Sequence, residues 1–436
     1  MSPITQPTEF TVGIALDAAG WHPAAWREPD ARPDALFTAP YWTELVRTAE
    51  AGGLDYVTIE DSLSVPGTGA LDAAPASPRP DRVAGRLDAL LTASWTAPQT
   101  RTIGLIPTVT VTHTEPFHVA TALQTLDHVS EGRGGWQLRI SPEPEAAAAF
   151  GRRPAPNVEA ARVIAGDTDP GLDALLGEAA EAAAVARGLW TSWAADAEIR
   201  DAATGRFLDR DRVRHIGFAG EHFSVVGPSI VPRSPQGELP ITVLSHSPRV
   251  HRFAATSADV VFITPDSESV RAGASRGASA AELVAQVRAA ERAVDRPGLG
   301  LAPLRIVADL VVALDTAAPG ETGAARLARL NALAGEPFES DARVVAGSAA
   351  EVTELIAAWR AAGVEGIRLL PLTLPGELGR IVADLLPALR ARGLVSEQLD
   401  AAGAPPRSLR ERFGLAPVPP RAHRTARTAR TEETAA

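Results

Sequence analysis

Cysteine is absent from the 436-residue chain, which excludes disulfides, thiolate metal sites and a cysteine nucleophile. Lysine is absent too: all 42 basic residues are arginine, and against 53 acidic residues they leave a net charge of −11. That balance argues against a nucleic-acid footprint or an anionic membrane surface, so small molecules are the expected partners. No run of about 18 apolar residues occurs, and the opening MSPITQPTEF has no basic stretch followed by an apolar one, so a cytoplasmic protein without a membrane span is expected. Also missing are H-E-x-x-H or His-x-His spacings, a Walker loop, and G-x-G-x-x-G after a strand. No metal is expected, and no second nucleotide domain for NADH.

What the chain does have is a 45% hydrophobic content, ample for a large core, distributed as short β-branched runs alternating with helical stretches. Eight strands are expected: Thr11–Leu16, Tyr56–Glu60, Thr102–Val111, Gly135–Ile140, Ile241–Ser245, Asp259–Thr264, Leu304–Leu314 and Gly366–Leu372. Helical patterns lie between them, and a last one follows near Gly376–Arg392. This order predicts an α/β fold, a (β/α)8 TIM barrel forming one domain over residues 1–415. A long insertion, about 142–239, separates the fourth and fifth strands. It contains IGFAGEHFSVVGP, read as a hairpin around Ala219–Glu221, and a segment of this size builds a lid or pocket wall. From Ala416 the chain turns proline-rich and then Arg/Thr/Ala/Glu-rich, so residues 416–436 are expected to be a disordered tail.

The stretch Thr102–Ser141 reads as strand, helix, strand, and places His113 and Ser141 at strand carboxyl ends, where such units bind ligands. Thr108, Thr110 and Thr112 alternate toward one face. Strand-forming threonines with satisfied hydroxyls would give the same alternation. Taken whole, the stretch resembles the bacterial luciferase-like flavin monooxygenases, in the branch of nitrilotriacetate monooxygenase, dibenzothiophene-sulfone monooxygenase and the pristinamycin synthase subunits. The resemblance rests on Thr108 to Pro116, on TLDHVSEGR at Thr125 to Arg133, and on Gly135, Trp136 and Gln137. It continues through His22, Trp26, Arg27, Pro29 and Ala31, through Thr204–Gly237, and through Leu385–Val395 and Ser408–Leu415.

This resemblance implies a barrel that takes FMN, reduced by a separate flavin reductase, and uses dioxygen to place one oxygen atom in a small organic substrate. Homodimers and homotetramers are common among similar proteins. Asp61, in Glu60-Asp61-Ser62-Leu63, matches a flavin-site aspartate, although Glu60 stands where relatives often have alanine. Thr108, Thr110, Gln137 and Ser141 are the other expected cofactor contacts at the barrel mouth. His113 is the leading candidate for proton transfer, since an imidazole titrates near neutrality. His22 is the second, and Trp26 and Arg139 are expected substrate contacts. Arg139 has further readings, as a partner of the ring's pyrimidine edge or in a salt bridge to an acid such as Asp61. Two motifs depart from the family pattern. The glycine-rich phosphate turn is replaced by Ser245-His246-Ser247-Pro248-Arg249, in which Ser247 is retained and His246 and Arg249 are expected to supply positive charge instead. The fourth strand carries Gln137 for asparagine and Arg139 for an apolar residue. These departures leave open a deazaflavin-dependent oxidoreductase on the same barrel, or a non-catalytic partner subunit.

Overall fold

Parallel strands covered on both faces are expected to be mostly apolar, and the runs TVGIAL and RIVADLVVAL are so apart from Thr11, Arg305 and Asp309, every residue of both being buried. The computed structural model describes residues 9–65, 79–269, 276–316, 320–396 and 406–418. Its strands are β1 (Thr11–Leu16), β2 (Tyr56–Ile59), β3 (Gly104–Thr110), β4 (Trp136–Arg139), β5 (Glu198–Asp201), β6 (Arg206–Leu208), β7 (Phe218–Ala219), β8 (Ser224–Val225), β9 (Ile241–Leu244), β10 (Val260–Ile263), β11 (Arg305–Leu314), β12 (Arg343–Gly347) and β13 (Gly366–Pro371). The helices are α1 (Ala39–Gly52), α2 (Ala89–Thr96), α3 (Pro116–Val129), α4 (Pro144–Phe150), α5 (Ala160–Ala165), α6 (Pro170–Trp190), α7 (Pro248–Ser257), α8 (Ala280–Ala293), α9 (Gly323–Ala334), α10 (Ala349–Ala361), α11 (Gly376–Arg380), α12 (Leu386–Ala391) and α13 (Leu409–Arg412). No described helix is long and apolar enough to cross a membrane.

Eight strands close into the expected parallel barrel, in the order β10-β9-β4-β3-β2-β1-β13-β11, with β11 pairing back onto β10. The ninth strand, β12, was not expected. β11 is ten residues long and outruns its neighbour: β10 pairs with it as far as Ala308, and β12 takes over the same edge from Leu310. The insertion between β4 and β9 supplies α4, α5 and α6 and two short antiparallel pairs. One pair, β7 with β8, is the expected hairpin; β5 with β6 was not foreseen. Of the tail expected to be disordered, Ala416 and Val418 accept hydrogen bonds from Arg410 and Arg233, and residues 419–436 lie outside the described residues.

At its amino-terminal end the barrel is plugged by α13. Leu409 and Phe413 enter the barrel against Tyr56, Ile106 and Val260. Glycine is required where this plug meets the strands. A Cβ on Gly104 or Gly135 would stand 2.5 or 2.7 Å from a Leu409 methyl.

The segment TLDHVSEGR is scaffold. Asp127 accepts from the Gln236 backbone amide (3.1 Å) and side chain (2.6 Å), fastening the end of the insertion to α3. Arg133, 3% exposed, donates five hydrogen bonds to Ser130 O, Thr100 Oγ1, Ile103 O, Ala97 O and Thr100 O, locking the turn after α3 to the entry of β3. We expect Arg133→Met to lower stability by about 3 kcal/mol or more, because several buried carbonyls lose a charged donor at once. Arg133→Lys should not restore it, since an ammonium cannot span the same fork. Thermal melting followed by circular dichroism reads both.

Candidate active site

The carboxyl ends of the strands surround a cavity of about 570 Å³. Strand alternation sends Glu60, Gln137, Arg139, Asp309, Arg368 and Leu370 toward it from β2, β4, β11 and β13, while Leu244, His246 and Thr264 line it at the ends of β9 and β10. Its floor is polar. Asp309 and Arg368 face each other as register partners of β11 and β13 and make a two-pronged ion pair, Nε to Oδ1 at 2.8 Å and Nη2 to Oδ2 at 2.6 Å. Arg368 also lies 3.9 Å above the Phe262 ring. Burial works against its charge, yet Asp309 and Glu60 more than offset this and hold the guanidinium above its ordinary value. Arg368 Nη1 donates to Gln137 Oε1 at 2.5 Å, and Gln137 Nε2 donates to both Glu60 oxygens at 3.2 and 3.3 Å.

A strap between α9 and β12, residues Phe338 to Ala342, and Trp21 from the loop after β1 also line this cavity. Long-range contacts tether the strap. His22 Nδ1 accepts from the Ala24 amide at 3.0 Å, so this nitrogen is unprotonated and Nε2 is the donor that meets Asn331 Oδ1 at 3.0 Å. The same Asn331 oxygen accepts from the Phe338 amide, and the Phe338 ring lies 5.2 Å from His22. At the strap's other end Asp341 stands 3.7 Å from His246 Nε2.

The residues singled out from the sequence fall into four groups. Gln137, Arg139 and His246 line the large cavity. Burial lowers His246 below the ordinary histidine value, so the positive charge expected of it is missing at neutral pH; Nδ1 contacts Thr264 Oγ1 at 3.1 Å. Arg139 does not pair with the Asp61 carboxylate: Nη1 donates to the Asp61 backbone carbonyl at 2.8 Å. His22 and Trp26 line a smaller space of about 140 Å³ beside it, which they share with Trp21 and Asp17. Trp26 Nε1 is engaged by Asp81 O at 3.0 Å. Ser247 and Arg249 line a third pocket of about 160 Å³ at the amino end of α7, together with Arg252. There the Ser247 hydroxyl caps Val250 N, and Arg249 is held by Asp173 and Thr168.

The fourth group lines none of these three spaces. Asp61 accepts from the amides of Ser62 (2.7 Å) and Ala89 (2.9 Å), at the start of α2; burial nevertheless raises it above the usual carboxylate range. Thr108 is buried with an unpartnered hydroxyl, and Thr110 and Ser141 are buried beside it on β3 and after β4. The Ser141 hydroxyl donates to Glu143 at 2.6 Å. His113 is 5% exposed and adopts a left-handed φ of 68° that a side chain rarely takes. Neither ring nitrogen has a partner among the described residues, and the ring is stacked under Phe150 of α4 with centroids 5.6 Å apart. Burial lowers its pKa, so the imidazole is neutral at pH 7.

Asp17, Asp309, Arg368 and Asp341 escaped the sequence reading. Two had a visible signal: a charge in the middle of each otherwise apolar run, RIVADLVVAL and GIRLLP. At the mouth, burial pushes Asp17 up to about 6, against the pull of Arg86, with Glu60 adding to the rise. The unfolded chain loses this proton near 3.8 and the folded chain only near 6, so Asp17 stabilises the fold most at low pH and that contribution fades as pH rises through this window. Asp17→Asn should remove this slope, leaving the variant relatively more stable than the parent at pH 7 than at pH 4 by about 2 kcal/mol. Urea titrations at several pH values measure it.

The geometry can be set against known proteins. N-acetyl-S-(2-succino)cysteine monooxygenase of Bacillus subtilis is 34% identical over 254 residues, which is 58% of this chain and 52% of that protein. Nitrilotriacetate monooxygenase component A of Aminobacter aminovorans is 33% identical over 260 residues, 58% of this chain and 53% of its own length. The chain therefore aligns with about half the length of these curated relatives. A riboflavin lyase solved with modified FMN and the substrate riboflavin shares the fold, with a TM-score of 0.74 at 22% identity over 93% of this chain and 96% of that one. The model of one family, described as luciferase-like monooxygenase, runs from residue 18 to residue 366, from the end of the first barrel strand to the start of the last. A match over that much of the barrel makes this chain a member of the luciferase-like monooxygenase family.

Proposed function

We propose that the chain is a flavin-dependent monooxygenase that binds reduced FMN from a separate reductase and oxygenates a small organic substrate. The observation that carries this reading is that two separate spaces lie beside each other along the same helices. Leu176, Val250 and Phe253 wall the large cavity, and one turn further along the same helices, α6 and α7, Leu172, Ser247, Arg249 and Arg252 line the 160 Å³ pocket. A flat aromatic ring in the first space would place a phosphate in the second, where a helix amino end and two arginines favour an anion. Buried polar atoms that have no hydrogen-bond partner among the described residues on two cavity-lining side chains, Trp21 Nε1 and His246 Nε2, also suit an occupant with hydrogen-bonding groups. When bound, reduced FMN supplies the activation of dioxygen. The designation of the nitrilotriacetate relative as a component supports a separate electron donor.

Around such a cofactor the protein's own part is binding, exclusion of water and proton handling. Trp21 and the Phe338 strap cover the cavity and limit solvent entry. Arg249 leaves Asp173 to hold the phosphate. His113, rather than His22, carries the proton: both His22 nitrogens are engaged, Nδ1 by the Ala24 amide and Nε2 by Asn331, whereas the neutral His113 ring has a free lone pair and a free N–H once Phe150 moves aside.

Titration of FMN into the protein without oxygen, followed by mixing the reduced complex with dioxygen, tests the reading. Binding is expected, with a transient flavin absorbance before reoxidation. Arg249→Ala should weaken FMN by about tenfold or more while leaving phosphate-free lumiflavin unaffected. His113→Ala should retain FMN and slow turnover by about a hundredfold. Failure to bind FMN in either redox state overturns the proposal.

A further inference from the structure

The polar floor of the cavity has a direction. Asp309 fixes Arg368, and Arg368 Nη1 claims the Gln137 oxygen at 2.5 Å. An amide whose oxygen faces a guanidinium has only N–H left to offer, and Gln137 Nε2 offers it to Glu60. Arg368 Nη1 reaches Glu60 Oε1 as well, at 3.4 Å. Glu60 is thereby anchored from below. Its Oε1 is approached by Gln137, Arg368 and Thr58, whereas Oε2 takes only the Gln137 contact, so acceptor capacity remains on Oε2 toward the cavity Glu60 lines.

Arg139 lines the same cavity and is anchored on its other side, by the Asp61 carbonyl at 2.8 Å. Only one of its five donors is used there, and it makes no ion pair among the described residues. Glu60 and Arg139 therefore present an acceptor and a donor to one space without satisfying each other. The chemistry that complements such a pair is an imide edge, a ring N–H flanked by carbonyls, as in the pyrimidinedione end of a flavin or a deazaflavin.

We infer that Glu60 accepts the imide N–H of the bound cofactor ring and Arg139 donates to the adjacent carbonyl, with Gln137 and Arg368 as the residues that position Glu60. This rests on the reading that the flavin ring of FMN occupies the cavity.

The probes are lumiflavin, which has the ring and no phosphate, and lumiflavin methylated at the imide nitrogen, each titrated into the full chain by fluorescence quenching. The parent protein should bind the methylated ring about tenfold or more weakly. In Glu60→Gln, of equal volume, the new amide oxygen is claimed by Gln137 and Arg368 and its NH2 turns to the cavity. Discrimination should then fall to within about twofold through loss of lumiflavin affinity; simple steric exclusion of the methyl group would leave it intact. Replacing the floor pair together, Arg368→Met with Asp309→Leu, should also erode discrimination with Glu60 still in place, a change that a purely structural role would not produce. Such paired apolar replacement is often tolerated, and Gln137→Met serves if that double variant does not fold. Equal affinity of the parent for both rings, with FMN still bound, overturns this inference and leaves the flavin reading standing. Binding of neither ring nor FMN removes both.

Discussion

A buried ion pair is expensive to create, because each charge gives up its hydration, and strongly destabilising to break, because the survivor is left alone in a medium that cannot solvate it. Arg368 and Asp309 are both 2% exposed, inside a barrel whose lower layers are apolar. Losing either partner would cost about 3–5 kcal/mol. The pair therefore fixes more than its own geometry. It sits across the directly paired strands β11 and β13, so it disfavours any slip of their register, and it rests on Phe262 from β10. Above it, the orientation of Gln137 and the seat of Glu60 follow from where the Arg368 nitrogens point.

The same logic of anchoring from outside governs the mouth. Residues separated by some 300 positions in the chain meet there: His22 with Asn331, and through it the amide of Phe338. His22 Nε2 is spent in this task, and Nδ1 on the Ala24 amide of its own loop. The roof over the cavity is thus an assembled structure, drawn from the loop after β1 and the strap before β12, with Asp341 at its far end 3.7 Å from His246. His113 is the opposite case, a neutral ring with no partner, strained in φ and covered by one phenylalanine.

Much of the barrel was legible because burial on both faces leaves a plain mark: short β-branched runs, each followed by a helical period. The runs that escaped have no such mark. β12 has one residue exposed and the rest half-buried, and β5 and β6 are short and mostly exposed, so their composition does not demand a sheet. The segment most indicative of family, TLDHVSEGR, proved to be where Asp127 and Arg133 tie backbone to backbone. A motif can be specific because its geometry is hard to build another way. Site residues were harder to place. Asp309 and Arg368 were visible as charges in apolar strands, but pairing them requires knowing that β11 and β13 are neighbours. Nothing in the sequence joins His22 to Asn331.

The α13 plug sets the traffic of the barrel. Leu409 and Phe413 pack against Tyr56 with Gly104 and Gly135 at the closest approach, so the interior is sealed at the amino-terminal end. A vessel with one opening works as a stack: whatever lies deepest enters first and departs last. Two molecules lying one behind the other in such a cavity would load in a fixed sequence and unload in reverse, an order set by the architecture before any affinity is considered.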